Sequence, residues 1–292
     1  MYADSRQWKS DRRCGMKVII DGLACEAESG EYLLQIAKRN HINIPTLCHE
    51  EALAGLATCR ICIVEVMDAK RTEVERDGQT EGIEKRKIVT ACVYPVVTEI
   101  EVITNSEKLR DMRKAILTLL MARAPESDAI GMLAKEYGVE HNHQWLTKDD
   151  EKCILCGLCV AACDKMGTGA IATINRGITR KVSTPFEEPA ESCIGCCSCA
   201  SVCPSGAIPF TDLHRKRTIW NKEFDLVSCS WCGEIIGTKE QLDYVGKRID
   251  PSPDEHRIGL SADAHGNEML CEHCRAVREA SRLKWVRQKS LA

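Results

Sequence analysis

The chain has 292 residues, with 40 Lys and Arg against 43 Asp and Glu, a formal charge of −3 and only 4% aromatic residues. That length suggests two or three compact units, the charge balance gives no global reason to expect nucleic acid, and the scarcity of large side chains argues against one large apolar core. Small units built this way commonly need metals to fold. No apolar run approaches the about 18 residues that would span a bilayer. The first residues are polar with no secretory h-region, so the 19 cysteines argue for a reducing cytoplasm and metal ligation rather than disulfides.

In chain order, residues 1–16 read as a flexible lead-in. Residues 17–27 (KVIIDGLACEA) predict a hairpin turning at Asp21-Gly22. Gly30 to Arg39 predicts a helix capped by Ser29, with Leu33, Ile36 and Ala37 facing inward. Pro45 stops continuation and leads to Cys48, then Cys59 and Cys62. A strand at 63–67 follows, then a charged insert at 68–87 expected as an exposed hairpin extension around Asp77-Gly78. A strand at 88–93 carries Cys92, and the last strand is 99–104. Hairpin, helix and returning strands suggest a β-grasp ferredoxin over 17–105. The thiols are spaced C-x10-C-x2-C-x29-C, which is not the plant ferredoxin spacing.

Ser106 is placed to cap a helix through Arg123, with Leu109, Met112, Ile116, Leu119 and Leu120 on its inner face. A second helix runs from Asp128 to Tyr137 and ends at Gly138. These make a helical linker over 106–150. His141 and His143, with no thiol nearby, read as surface or hydrogen-bonded histidines.

Two runs of the form C-x2-C-x2-C-x3-C come next, offset by forty residues: Cys153, Cys156, Cys159, Cys163 and Cys193, Cys196, Cys199, Cys203. This is the two-cluster [4Fe–4S] ferredoxin spacing, in which the fourth Cys of each run ligates the other cluster. One cluster is thereby assigned to Cys153, Cys156, Cys159 and Cys203, the other to Cys193, Cys196, Cys199 and Cys163, in a domain over 151–212. Cys197 reads as a small buried thiol beside the second cluster. Between the runs, 170–184 predicts a hairpin turning at Asn175-Arg176-Gly177. Gly167-x-Gly169-x-x-Ala172 follows a cysteine run and opens no βαβ unit, so it is not a dinucleotide fingerprint.

Residues 213–292 carry two C-x2-C knuckles, Cys229/Cys232 and Cys271/Cys274. Paired knuckles suit one Zn2+ in a tetrahedron of thiolates; the same ligands suit a third [4Fe–4S] cluster. Thr238 and Gln241 fit a capping box opening a helix to about Arg248. Residues 251–256 (PSPDEH) read as loop, and a basic helix is expected after Cys274. The fold class is thus α+β: a β-grasp ferredoxin domain, a helical linker, a two-cluster [4Fe–4S] domain and a small zinc-ribbon-like knuckle domain.

The words IPTLCHEEALAGLATCRICIVEV and IVTACVYPV resemble the N-terminal [2Fe–2S] domain of the complex I iron–sulfur subunit and of the small iron–sulfur subunit of soluble NAD-linked hydrogenases. The resemblance covers roughly residues 17–212. It implies a [2Fe–2S] cluster on Cys48, Cys59, Cys62 and Cys92, with the last gap widened by the charged insert. In that family the segment matching MARAPESDAIGMLAKEYGV holds a further [4Fe–4S] cluster on one His and three Cys. Here Ala124 stands at the His position and no cysteine lies between Cys92 and Cys153, so the packing is implied without the cluster. The implied function is a cytoplasmic electron-transfer subunit, non-catalytic alone, of an NAD(P)-linked oxidoreductase complex, electron-bifurcating complexes included. Its implied partners are a flavoprotein that oxidises NAD(P)H and a further redox module, such as a hydrogenase, formate dehydrogenase, transhydrogenase or ferredoxin, with no nucleic acid and no membrane span. The alternative from another class is a redox-sensing iron–sulfur and zinc-ribbon regulator.

Overall fold

The computed structural model describes residues 15–53, 55–68, 86–140, 151–249 and 269–278. The lead-in, most of the charged insert, His141 and His143, the PSPDEH loop and most of the basic helix lie outside the described residues. The chain divides into two compact units, residues 1–158 with 204–207, and residues 159–203 with 208–292.

In the first unit, β1 (Met16–Ile20) and β2 (Leu23–Ala27) pair antiparallel. Asp21 and Gly22 both take positive φ (49° and 83°), the turn whose twist matches that of the strands it joins. β3 (Ile63–Asp68), β4 (Lys87–Thr90) and β5 (Ile100–Ile103) complete a five-stranded sheet of order β2-β1-β5-β3-β4. β1 and β5 run parallel and the other neighbours antiparallel, the β-grasp arrangement. Alternation puts Val18, Ile20, Val64, Val66 and Val102 on the buried face against Leu33 and Ile36 of α1 (Leu33–Arg39). Each such side chain contributes about 1.5–3 kcal/mol by leaving water.

Three expectations need correction here. The first helix starts three residues late, because Tyr32 bridges Pro95 and Gly30 donates to the Val96 carbonyl, leaving Ser29 no capping role. Cys92 sits in a short 3-10 turn, Ala91–Val93, rather than on the strand. The buried stripe of α2 (Glu107–Arg123) is Leu109, Arg113, Leu117 and Ala122, while Leu119 is 62% exposed. Ser106 does cap α2, accepting from the Leu109 N–H at 3.2 Å, and Ser127 caps α3 (Asp128–Glu136).

In the second unit, α4 (Leu158–Met166) carries Cys159 and Cys163, the last two thiols of the first run; its first residue, Leu158, belongs to the first unit. β6 (Ala172–Ile174) and β7 (Lys181–Ser183) form the expected hairpin. The helix α5 (Ser198–Ser201) lies within the second run. The sequence reading misses what comes next: β8 (Phe210–Leu213), β9 (Lys216–Ile219), β10 (Lys222–Ser228) and β11 (Ile235–Thr238) form a four-stranded antiparallel sheet of order β11-β10-β9-β8. α6 (Lys239–Ile249) follows, with the Thr238 hydroxyl accepting from the Gln241 N–H at 3.1 Å. Residues 272–278 are helical. No helix among the described residues is long and apolar enough to cross a membrane.

Candidate metal centres

Cys48, Cys59, Cys62 and Cys92 are all buried at one edge of the β-grasp unit. Three come from the loop between α1 and β3, the last of them, Cys62, just before β3 begins, and one from the 3-10 turn after β4. Gly55 lets that loop press on the turn: a Cβ there would lie 2.8 Å from the Cys92 carbonyl and from Val93 Cγ1. The thiols fall into two pairs. The Cys59 thiol hydrogen-bonds the Cys48 sulfur and holds Cys48 down to about 5, helped by the Cys59 N–H at 3.4 Å. The Cys92 thiol does the same for Cys62, held at about 7. The partners Cys59 and Cys92 are pushed up by those same bonds and by burial. Local donors thus favour thiolate in one member of each pair, the form that binds metal.

The neighbouring residues include one that the sequence reading passes over. Arg113 is 2% exposed and donates to the carbonyls of Ile61 (3.2 Å), Ile63 (2.7 Å) and Thr104 (2.9 Å) and to the Tyr137 hydroxyl (3.3 Å). Its bonds to Ile61 and Ile63 bracket Cys62 and fix the loop to α2. His49, next to Cys48, has both ring nitrogens buried and without a hydrogen-bond partner, and burial lowers its pKa.

Within the same unit the first run meets the β-grasp loop. The Thr58 hydroxyl donates to the Cys156 carbonyl at 2.8 Å, so the neighbour of Cys59 is bonded to a residue of the next set of thiols. Cys153 accepts from the Leu155 N–H at 3.4 Å. Cys159 and Cys203 belong to the other unit.

In the second unit Cys163, Cys193, Cys196 and Cys199 line one cavity, together with Cys197, Ile219 and Trp220. The structure therefore brings together the four thiols that the crossed pattern assigns to one cluster. Several donors face their sulfurs. The Ala170 N–H reaches Cys163 at 3.1 Å, the Thr168 hydroxyl lies 3.2 Å from the same sulfur, and the Trp220 indole N–H donates to Cys199 at 3.5 Å. The rejected Gly167-x-Gly169 sequence is the turn that wraps Cys163. Burial pushes Cys193 up, while the Gly195 N–H and the Lys222 ammonium pull it the other way. Such donors stabilise the more negative, reduced cluster. Cys197 is half-buried, takes a left-handed φ of 57°, the conformation Gly157 takes (83°) in the first run, and is pushed up to about 11 by burial.

The β8–β11 sheet braces this cavity. A Cβ on Gly195 would lie 2.8 Å from the Phe224 ring and 2.9 Å from Thr238 Cγ2, so only glycine fits. Thr238 Oγ1 donates to the Ile194 carbonyl, and Arg217, paired with Asp212 at 2.8 Å, donates to the Gly195 carbonyl at 3.1 Å.

Cys229, at the end of β10, and Cys232 meet Cys271 and Cys274, all four sulfurs lying within 4.8 Å of one another. Cys232 and Cys271 are 3.7 Å apart. With Zn–S bonds of about 2.3 Å, a tetrahedron has sulfur–sulfur edges of about 3.8 Å. A four-iron cluster alternates iron and sulfide at the corners of a cube, with one thiolate on each iron, and holds its thiolates farther apart. The Cys232 N–H foremost holds Cys229 down to about 6, and burial pushes Cys274 up to about 12.

Fold and thiols together define a class: an iron–sulfur protein with a 2Fe–2S domain followed by a 4Fe–4S domain. Residues 15–107 match the family described as 2Fe-2S iron-sulfur cluster binding domain, and residues 146–165 match 4Fe-4S binding domain. The chain is similar to the NADP-reducing hydrogenase subunit HndD of Solidesulfovibrio fructosivorans, 30% identical over 66% of this chain and 36% of that protein. The NADPH-Fe(3+) oxidoreductase subunit alpha of Geobacter sulfurreducens is 28% identical over 78% of this chain and 28% of the relative. The NADH-ubiquinone oxidoreductase 75 kDa subunit of Reclinomonas americana is 25% identical over 80% and 35%. The chain thus spans about a third of the length of these curated relatives, or somewhat less. A crystal structure of an NAD+-reducing [NiFe]-hydrogenase in the H2-reduced state shares the fold, with TM-score 0.52 and 22% identity over 66% of this chain and 86% of that one. The chain thus carries sequences that match 2Fe–2S and 4Fe–4S binding domains and is similar to subunits of NAD(P)-linked oxidoreductases and hydrogenases.

Proposed function

We propose that this chain is a cytoplasmic electron relay, non-catalytic alone, within an NAD(P)-linked oxidoreductase complex. A flavoprotein partner would supply electrons from NAD(P)H, and a hydrogenase, formate dehydrogenase, transhydrogenase or ferredoxin module would receive them or return them. The [2Fe–2S] cluster is held by Cys48, Cys59, Cys62 and Cys92. The [4Fe–4S] clusters are held by Cys153, Cys156, Cys159 and Cys203, and by Cys193, Cys196, Cys199 and Cys163. The clusters supply the one-electron chemistry. The chain's residues hold them, exclude water and bias their potentials.

The observation that carries this reading is the bond between Thr58 and the Cys156 carbonyl. It joins the loop of the first thiol set to the loop of the second, as single-electron transfer between neighbouring centres requires. The pairing of Cys48 with Cys59 and Cys62 with Cys92 supports a two-iron centre, in which each iron takes two thiolates. The close sulfurs of Cys229, Cys232, Cys271 and Cys274 favour one Zn2+ over a third cluster. The regulatory alternative draws no support from relatives that are oxidoreductase and hydrogenase subunits. Reductive titration of the anaerobically reconstituted chain, followed by EPR, is the test. Three reducible iron–sulfur centres and no NADH oxidation without added flavoprotein are expected; fewer centres, or NADH oxidation by the chain alone, overturn the proposal.

A further inference from the structure

The β9–β10 hairpin lies beyond the second cysteine run, yet its residues face the cavity of Cys163, Cys193, Cys196 and Cys199. Its turn is Trp220-Asn221, both left-handed at φ 53° and 58°. Left-handed backbone is unfavourable for a residue as large as Trp. Here it aims the indole N–H at the Cys199 sulfur, 3.5 Å away, and makes Trp220 part of the cavity wall. Two residues on, the Lys222 ammonium uses its three donors on the carbonyls of Ala190 (3.1 Å), Glu191 (3.0 Å) and Cys193 (2.8 Å). It also sits 5.0 Å from the centre of the Phe224 ring. The other cation at this loop, Arg217, is neutralised by its two bonds to Asp212. The ion pairs of the described residues do not include Lys222.

Resting on the cluster assignment above, we propose that this hairpin sets the redox potential of the centre held by Cys163, Cys193, Cys196 and Cys199, with Trp220 donating to a ligand sulfur and Lys222 supplying an unpaired positive charge. Reduction adds one electron to the cluster. A hydrogen bond to a ligand sulfur and a nearby cation both stabilise that added charge, and at a partly buried site they act more strongly than in water. Both residues are positioning residues: they act through the cluster and its loop rather than on any substrate. The C-terminal sheet thereby makes this centre easier to reduce than its thiolates alone would.

EPR-monitored redox titration of the full, cluster-loaded chain tests this. The centre in question is identified as the one whose signal changes in Cys196→Ser. Lys222→Met is expected to lower the reduced-to-oxidised ratio of that centre about tenfold at a fixed ambient potential, equivalent to about 59 mV for one electron. Trp220→Phe, which keeps the ring and removes the N–H, shifts it the same way by a smaller factor, and Lys222→Arg restores most of the loss. Iron and sulfide contents stay at the wild-type level and the [2Fe–2S] midpoint does not move. If Lys222→Met fails to retain the cluster, Trp220→Phe decides the matter alone. Unchanged midpoints in the loaded variants overturn the inference, as does an equal shift in every centre. A wild-type chain lacking two [4Fe–4S] signals would instead remove the assignment on which the inference rests.

Discussion

Arg113 shows how one residue can escape a reading of hydrophobic periodicity. It stands four residues after Leu109 and three before Ile116, within a face where an apolar pattern expects no charge, and it is the largest fully buried side chain among the described residues. The guanidinium is satisfied by three carbonyls and one hydroxyl, two of those carbonyls flanking Cys62. A buried cation is tolerated only when its donors are used in this way. Arg113→Met should therefore cost about 3 kcal/mol, since the carbonyls it leaves behind are buried without partners. Chemical denaturation of the variant checks this; a change within about 0.5 kcal/mol, the range of ordinary surface substitutions, would show that the bonds contribute little. Thr58 and Trp220 are silent in the sequence for the same kind of reason. Each acts through one contact with a residue distant in the chain, and no local pattern announces such a contact.

At the scale of elements, the metal loops are legible and the sheet that supports them is not. The cysteine runs are spaced by ligand geometry, which leaves a direct signature. β8, β9 and β10 are joined by His214-Arg215 and Trp220-Asn221, two turns at positive φ without a glycine, so the usual hairpin signal is absent. β8 is exposed along its whole length and shows no alternation to read. The sheet's importance to the second unit can be tested at Gly195, where the loop and Phe224 approach too closely for a side chain. Gly195→Ala adds a backbone penalty at φ +66° to a clash with Phe224 and Thr238. It is expected to lose about four irons per chain, one [4Fe–4S] cluster, while the [2Fe–2S] signal stays. Retention of full iron content by this variant would show that the loop moves freely away from the sheet.

At the scale of the whole molecule, the four proposed thiolate sets would serve two ends, folding and electron transfer. Their metals differ in the spacing their sulfurs need, so the composition of the loaded chain follows from geometry. Anaerobic metal and sulfide analysis is expected to give about ten irons and one zinc per chain, counting two, four and four irons for the clusters. About fourteen irons with no zinc would place a third [4Fe–4S] cluster at Cys229, Cys232, Cys271 and Cys274. Cys232→Ser should release the zinc and leave the iron content untouched, because its three companions Cys229, Cys271 and Cys274 lie in their own small core with Leu270 and Ile236.

The sequence by itself determined the spacing of the cysteine runs, the β-grasp order of hairpin, helix and returning strands, and the hairpin between the cysteine runs. Metal ligation and strand alternation are local constraints that each residue must obey where it stands. The tertiary structure alone decided which thiols share a cavity, that an arginine is buried behind Cys62, and that a C-terminal sheet presses on the second cysteine loop. Those features depend on surfaces brought together across tens of residues, where close approach, burial and a single hydrogen bond fix the outcome and leave no periodic trace in the chain.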